Sequence, residues 1–580
     1  MFMSRRSYLN LALAILFAGN LLCGCTTAPL GATDAHAAIG PISASRGAQQ
    51  LSSGGVASLN AYLDSAQLPD LRYPNFENYR VESQEFYESA GDKLPWVVNS
   101  RPSRQALEVI SLLEAADSEG LNPIDYDGPR WAARLGTVDS DRAAESDFIR
   151  FDLALTISTM RYVSDLHRGR VNPGVFHFDV DIGNKEFDLP GFLRDKLVNA
   201  DDVQAVMKTV EPPFPGYRRT VDALRIYTKL ASESESGVLP IPPKTVKPGN
   251  PYGGVARLQS LLHLLGDLPE TAVVDVSTSD YKGPLVTAVK HFQQRHGLEP
   301  TGVLDAHTFK ELNTPLSERV IQMKLTLERW RWLPHKFARP PIVVNIPEFR
   351  LYAANEEYDA DFSMKVVVGR SYKHQTPVFA TEMKSLIFRP YWNVPLDIQR
   401  RELLPELGKD PNYLPKHDYE VVDAKAVVVT DGAVSEEVRK QLYSGKLAIR
   451  QRPGRDNSLG LLKFDMPNIY DVYMHGTPAT HLFSRSRRDF SHGCIRLEDP
   501  VALAAWVLRD KPEWDTERIL AAMNGDTTFR VSLTGPIPVL ILYGTAIVTK
   551  AGEVDFRDDI YGHDEELERV LAKGYPYSTE

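Results

Sequence analysis

The sequence predicts a multidomain α+β protein: a helical region, a small three-helix unit, and a mostly β region carrying an inserted, lid-like segment. Three observations predict it. The chain has 580 residues, more than one hydrophobic core organises. Apolar residues recur at helical spacing up to about residue 315. From about Pro340 the texture changes to short runs rich in Val, Ile, Tyr and Phe, the mark of strands. A composition of 43% hydrophobic and 24% charged residues is ordinary for a globular protein. The formal net charge of −10 leaves no basic field, so nothing in the composition favours nucleic acid as a partner.

The N-terminus reads as a targeting segment. Arg5 and Arg6 precede an apolar run from Leu9 to Cys23, broken by Asn10, Gly19 and Asn20. That run is too short and broken for a membrane span and has the proportions of a secretion signal. Leu22-Cys23-Gly24-Cys25 resembles a bacterial lipobox, which implies a signal peptide over residues 1–25, a lipidated Cys25 and membrane contact through that lipid. Ordinary cleavage after Ala35-His36-Ala37 is the competing reading, but that site lies fourteen residues beyond Cys23. Residues 26–70, rich in Ala, Ser and Gly, read as a flexible tether. With Cys23 removed and Cys25 lipidated, Cys494 is the one remaining thiol of three, in a compartment that oxidises thiols.

Residues 71–246 read as helical. Leu107, Ile110 and Leu113 mark a helix ending at Gly120, before Asn122-Pro123; Leu153, Ile157, Met160 and Leu166 mark another over Asp152 to His167. Pro240, Pro242, Pro243 and Pro248 form a linker. In residues 250–315, Val255, Leu258, Leu261, Leu262 and Leu265 precede Gly266, and Leu285, Val289, Phe292 and His296 precede Gly297. Asp305 is placed to cap a third helix. The run from Val289 to Asp305 resembles the three-helix peptidoglycan-binding domain, which implies contact with glycan. The same fold also serves as a bare spacer. His263, His291, His296 and His307 read as surface or packing residues.

Residues 316–535 carry the β pattern, with strands over Ile342 to Ile346, Glu348 to Ala353, Phe362 to Gly369, Ala426 to Thr430 and Val472 to His475. A charged, Pro-rich stretch at about 398–454, with a helix over Ser435 to Ser444, reads as a lid-like insertion. Leu497 to Arg509 reads as a helix. Residues 536–580 form a tail, with a hairpin of Val539 to Thr549 and Glu553 to Phe556 turning at Lys550-Ala551-Gly552.

One constellation carries chemistry. His475-Gly476-Thr477 is followed, after fifteen residues from His475, by Ser491-His492-Gly493-Cys494-Ile495-Arg496. A thiol is mostly protonated at neutral pH, and an imidazole that removes its proton gives a nucleophile for acyl transfer. A helix beginning just after Cys494 would bring a positive dipole end to the sulfur, with Gly493 and Cys494 N–H groups as oxyanion donors. Gly493 admits close approach of substrate.

His-Gly-Thr and Ser-His-Gly-Cys-Ile-Arg at this spacing resemble the L,D-transpeptidase catalytic domain. Tyr391-Trp392-Asn393-Val394-Pro395, Arg452-Pro453-Gly454 and Lys463-Phe464-x-x-Pro467-Asn468 resemble its large multidomain Gram-negative branch, as do Leu121-Asn122-Pro123 and Gly169-Arg170-Val171 of a scaffold domain. The resemblance implies a cell-envelope enzyme of the periplasm, acting on donor and acceptor stem peptides of peptidoglycan without a cofactor. Cys494 would attack the third residue of a tetrapeptide stem and expel D-Ala, and an acceptor amine would then form a 3→3 cross-link. His475 would be base and later acid, and His492 a site-lining residue, with the base as its alternative role. Ser491 would order the turn or help hold a donor or substrate group, and Gly476 would line the site or support the oxyanion. Arg496 has two readings, a ligand for a substrate carboxylate or a structural ion pair. Tyr391, Trp392 and Asn393 likewise line the cleft or pack. Water as acceptor gives a carboxypeptidase or another stem-peptide hydrolase, and a wall-binding scaffold without activity is the reading from another class. His475, His481, His492 and Cys494 as a zinc site lack the spacing of known zinc motifs, so no metal is expected.

Overall fold

In the computed structural model, which describes residues 47–577 apart from 181–186, 234–236, 372–373 and 411, the chain is folded where the sequence predicts a tether. Ala48–Gln50 is a strand and Ser53–Ser65 a helix. The Ser52 hydroxyl caps that helix by accepting from Gly55 N–H at 3.0 Å. Leu59 and Leu63 are buried with Leu51 in the helical core. The predicted tether is therefore corrected over residues 47–70, which are folded. Ser52 to Gly55 disguised the start, although Leu59, Tyr62, Leu63 and Ala66 do carry the helical period. The apolar signal segment, Cys23, Cys25 and the alternative cleavage site lie outside the described residues. Among the described residues no helix is long and apolar enough to cross a membrane.

The scaffold is arranged around Glu145–Arg168, a helix buried on every face from Phe148 to Leu166. Burial all round blurs amphipathic periodicity, which is why the sequence places its start seven residues late, at Asp152. The helix Arg104–Glu114 packs on it through Ala106, Val109, Ile110 and Leu113. Leu107, predicted on that face, is 47% exposed. The α-helix stops at Glu114 and not at Gly120 as the sequence predicts; Gly120, at φ 76°, ends the short 3₁₀ turn that follows it.

The three-helix unit comprises Val255–Leu264, Pro284–Arg295 and Ala306–Leu312, the last capped by Asp305, which accepts from Thr308 N–H at 2.8 Å. His296 is buried and stacks on Phe292 at 3.7 Å, whereas His307 is exposed. The unit is fastened to the C-terminal segment: Arg295 pairs with Asp267 and donates to Val554 O at 3.0 Å. The helix Leu316–Arg331, assigned by sequence to the β region, packs on the scaffold helix Pro215–Glu233.

The β domain is a nine-stranded sheet. Its strands lie in the order Asp489–Ser491, Ala360–Gly369, Ile495–Leu497, Met474–His475, Leu462–Asp465, Phe379–Phe388, Phe529–Leu542, Ile342–Asn345, Arg350–Ala354. Arg350–Ala354 pairs back onto Ala360–Gly369, so the sheet closes as a barrel. The Val539 to Leu542 part of the predicted hairpin belongs to this barrel. The hairpin itself is Ala546–Val548 against Val554–Phe556, with Gly552 N–H donating to Thr549 O at 3.0 Å in its turn. The insertion has its own four-stranded sheet and a core of Val394, Leu403, Leu404, Leu414, Val421, Leu442 and Ile449. It begins at Trp392, whose two-residue strand is too short to show a period.

If the first helix is core and not tether, Leu59→Ala costs about 2–5 kcal/mol in denaturant unfolding. A variant as stable as the wild type would return residues 47–66 to the tether.

Candidate active site

Three adjacent strands build the site. Lys463 on Leu462–Asp465 lies opposite His475, and His475 lies opposite Arg496 on Ile495–Leu497. Residues in register share a face, and side chains alternate along a strand. Lys463, His475 and Arg496 therefore form a row, with Tyr473 and Cys494 in the next row on the same face. Phe464, Met474 and Ile495, one step out of phase, are fully buried in the barrel core. The catalytic face is thus the polar half of an alternation whose other half holds the fold together.

The expectation of a helix directly after Cys494 is corrected. Ile495–Leu497 is a strand, and the helix Pro500–Val507 begins six residues after the sulfur, capped by Asp499. Its dipole end does not reach Cys494, because a β partner was needed beside Met474–His475. The expected donor role of Gly493 N–H is also corrected, since that group donates to Ser491 Oγ at 3.1 Å. Ser491 Oγ in turn donates to Cys494 O at 2.6 Å, so Ser491 closes the turn that carries the thiol. Gly493 sits at φ 112°, a conformation that requires glycine.

His475 is 4% exposed, and its Nδ1 lies 2.5 Å from Gly476 O. A carbonyl only accepts, so Nδ1 carries the proton and Nε2 is left as the basic nitrogen. Burial, followed by the Arg496 guanidinium, pushes the imidazole down to about 3. Burial likewise pushes the half-buried Cys494 thiol up, against the opposing pull of Tyr473, Lys463 and Arg496. The resting pair is therefore neutral thiol with neutral imidazole, and the proton moves during attack. No hydrogen bond joins the imidazole to Cys494 Sγ among the described residues; Sγ lies 3.8 Å from Asp471 O. Asp471 is held at φ 52°, backbone strain placed beside the nucleophile.

His492 faces the insertion. Its Nε2 lies 2.6 Å from Glu402 Oε1, and its ring is 4.8 Å from that of His374. Tyr391 is exposed, with the Arg450 guanidinium 4.2 Å over its ring, while Trp392 and Asn393 pair with Gln451 and Arg450 in the insertion sheet. Gly476 N–H donates to Leu462 O at 2.9 Å, which ties the His475 turn to the Lys463 strand. Arg496 makes none of the described ion pairs, and its Nε is buried without a hydrogen-bond partner. His481 is exposed on a 3₁₀ turn, and among the described residues no group of three His, Cys, Asp or Glu is placed to hold a metal ion.

Sequence reasoning missed Tyr473 and Lys463, whose ammonium stands 3.8 Å over the Tyr473 ring. Tyr473 was legible as the residue two before His475 in a strand, and Lys463 as the polar residue between Leu462 and Phe464. Glu402 had no local signal.

Residues 339–535 match the model of the L,D-transpeptidase catalytic domain. The barrel is similar to an L,D-transpeptidase catalytic domain. Ahead of it, residues 82–224 match a scaffold domain and residues 252–312 a "Putative peptidoglycan binding domain". A protein of Haemophilus influenzae named "Putative L,D-transpeptidase" is 31% identical over 226 residues, which is 39% of this chain and 45% of that protein. A protein of Glycine max named "Metalloendoproteinase 1" is 26% identical over 143 residues, 23% of this chain and 44% of that one. The matches thus span under half the length of either relative. A solved L,D-transpeptidase structure from Xylanimonas cellulosilytica aligns at 15% identity, with a TM-score of 0.17, over 52% of this chain and all of that one.

Alkylation of Cys494 by iodoacetamide is expected to rise with pH through a midpoint above the usual thiol value of about 8.5. Lys463→Met, which removes a cation favouring the thiolate, is expected to move it higher still. A midpoint in the ordinary range or below contradicts the neutral resting pair.

Proposed function

We propose that this chain is a periplasmic L,D-transpeptidase that forms 3→3 cross-links in peptidoglycan. The observation that carries the reading is the juxtaposition of Cys494 and a buried, neutral, Gly476-oriented His475 on one face of an L,D-transpeptidase domain. Cys494 Sγ attacks the carbonyl of the third, amino-dicarboxylic residue of a tetrapeptide donor stem. His475 Nε2 takes the thiol proton as the S–C bond forms, then gives it to the departing D-Ala nitrogen as the C–N bond breaks. An acceptor side-chain amine next attacks the thioester, loses a proton to His475, and releases the thiol.

Substrate charge supports the same reading. Lys463 and Arg496 line the thiol's face, and Arg496 lacks a carboxylate partner among the described residues, so we assign it to a carboxylate of the donor stem. The insertion, joined to the catalytic turn through Glu402 and His492, is placed to act as the lid over the bound stems. The three-helix unit would hold glycan, and a lipid on Cys25 would keep the enzyme at the membrane.

The test is product analysis on defined tetrapeptide muropeptides. Purified protein is expected to release D-Ala and give 3→3 dimers, and Cys494→Ala to reduce both to background with the fold retained. Monomeric tripeptides in place of dimers would assign a carboxypeptidase. Undiminished turnover by Cys494→Ala would reject the nucleophile.

A further inference from the structure

Thr376 is fully buried and lies 118 residues before Cys494 in the chain, yet its hydroxyl donates to Gly493 O at 2.8 Å. The same oxygen accepts from Gly369 N–H at 2.8 Å, which leaves its proton directed at Gly493. The segment is braced by the C-terminal region: Tyr561 OH donates to Gly369 O at 2.5 Å and accepts from Thr376 N–H at 3.2 Å. Two strand ends and a distant tail thus converge on one carbonyl in the turn that bears the nucleophile.

The geometry of a peptide unit gives this convergence a chemical meaning. The Gly493 carbonyl and the Cys494 N–H belong to one planar trans peptide, so they point in opposite directions. With the carbonyl anchored inward at Thr376, the Cys494 N–H is directed away from the barrel, on the residue that carries the sulfur. That N–H has no acceptor among the described hydrogen bonds, whereas the neighbouring Gly493 N–H is taken by Ser491. Gly493 at φ 112° leaves the unit free to rotate were nothing holding it.

We infer that Thr376, braced by Tyr561, is a positioning residue that locks the Gly493–Cys494 peptide with the Cys494 N–H aimed at the oxyanion of the tetrahedral intermediate. The inference rests on Cys494 being acylated, and concerns how the charge formed in that step is met. Thr376 touches no substrate atom; it acts through the peptide it holds. A preorganised donor counts only when negative charge develops on a carbonyl oxygen, so losing the lock slows acyl transfer and leaves other reactions of the thiol alone.

Two reagents separate these effects. A carbapenem acylates the thiol: the S–C bond forms, the lactam C–N bond breaks, and the thiol proton passes to the lactam nitrogen through a tetrahedral oxyanion. Iodoacetamide alkylates the same sulfur by displacing iodide, with no oxyanion. Both rates are read at the Cys494 peptide of the full chain by mass spectrometry. Thr376→Val is expected to slow acylation about ten- to a hundredfold while alkylation stays at the wild-type rate. Thr376→Ser, which keeps the hydroxyl, is expected to restore acylation. Tyr561→Phe, which removes only the brace, is expected to give a smaller fall of the same pattern, and carries the test if the valine variant does not fold. Equal falls in both rates, or wild-type acylation by Thr376→Val or by Tyr561→Phe, overturns the inference. Since the carbapenem needs no acceptor stem, this outcome is independent of whether muropeptides are cross-linked. Wild-type protein acylated by the carbapenem but inert on muropeptides would count against the proposed function and leave the lock intact.

Discussion

The site depends on one parallel pairing, Met474–His475 against Ile495–Leu497. It brings two segments that are distant along the chain into register and places His475, Arg496, Tyr473 and Cys494 on one face. Closure of the barrel fixes that register, because a slip of one residue would turn the imidazole to the opposite face of the strand and Met474 and Ile495 out of the core. The hydrophobic cost of such a slip protects the chemistry: fully buried Met474, Ile495 and Phe464 hold the alternation that points the polar residues into the cleft. Catalytic geometry here is a by-product of a core that tolerates no other phase.

Around that pairing, burial and charge act together on the imidazole and against each other on the thiol. Desolvation favours the neutral form of both the imidazole and the thiol, and the surrounding cations favour the neutral imidazole and the thiolate. The balance leaves a proton on sulfur and an empty basic nitrogen on His475. Such a pair keeps the thiol masked by its own proton. Thr376, Tyr561 and Ser491 meanwhile hold the backbone of the thiol turn.

The modules are tied to the catalytic barrel through the C-terminal segment more than through the linkers that the sequence makes conspicuous. Tyr561 reaches the active-site loops, Arg295 of the three-helix unit donates to Val554 O, and Tyr577 donates to Asp125 of the scaffold. The final residues therefore act as a strap from site to three-helix unit to scaffold. Where the sequence reads a small hairpin and tail, the packing makes a common abutment for the other parts.

Several features were legible in local sequence. Helix stops at Gly266 and Gly297, the Asp305 cap and the strands Ile342–Asn345 and Ala360–Gly369 follow from periodicity and from backbone conformations open to glycine. The motif around Cys494 likewise marks a thiol and a histidine that the strand pairing brings to one face. Two kinds of misplaced element share one cause: a helix buried all round and a strand of two or three residues each lose the period that burial would otherwise print on the sequence. The helix after Ser52 keeps its period, and the Ser52 to Gly55 opening disguises its start. By itself, then, the sequence determined which residue types stand in the motif and roughly how the chain divides. Tertiary structure alone decided that Ile495–Leu497 is a strand, that Gly493 N–H is already spent on Ser491, and that Thr376 and Tyr561 stand behind the thiol turn. The first two follow from the strand pairing and the turn it imposes; the last depends on groups that meet across more than a hundred residues of chain, and a hydrogen bond between segments so far apart leaves no periodic trace in either.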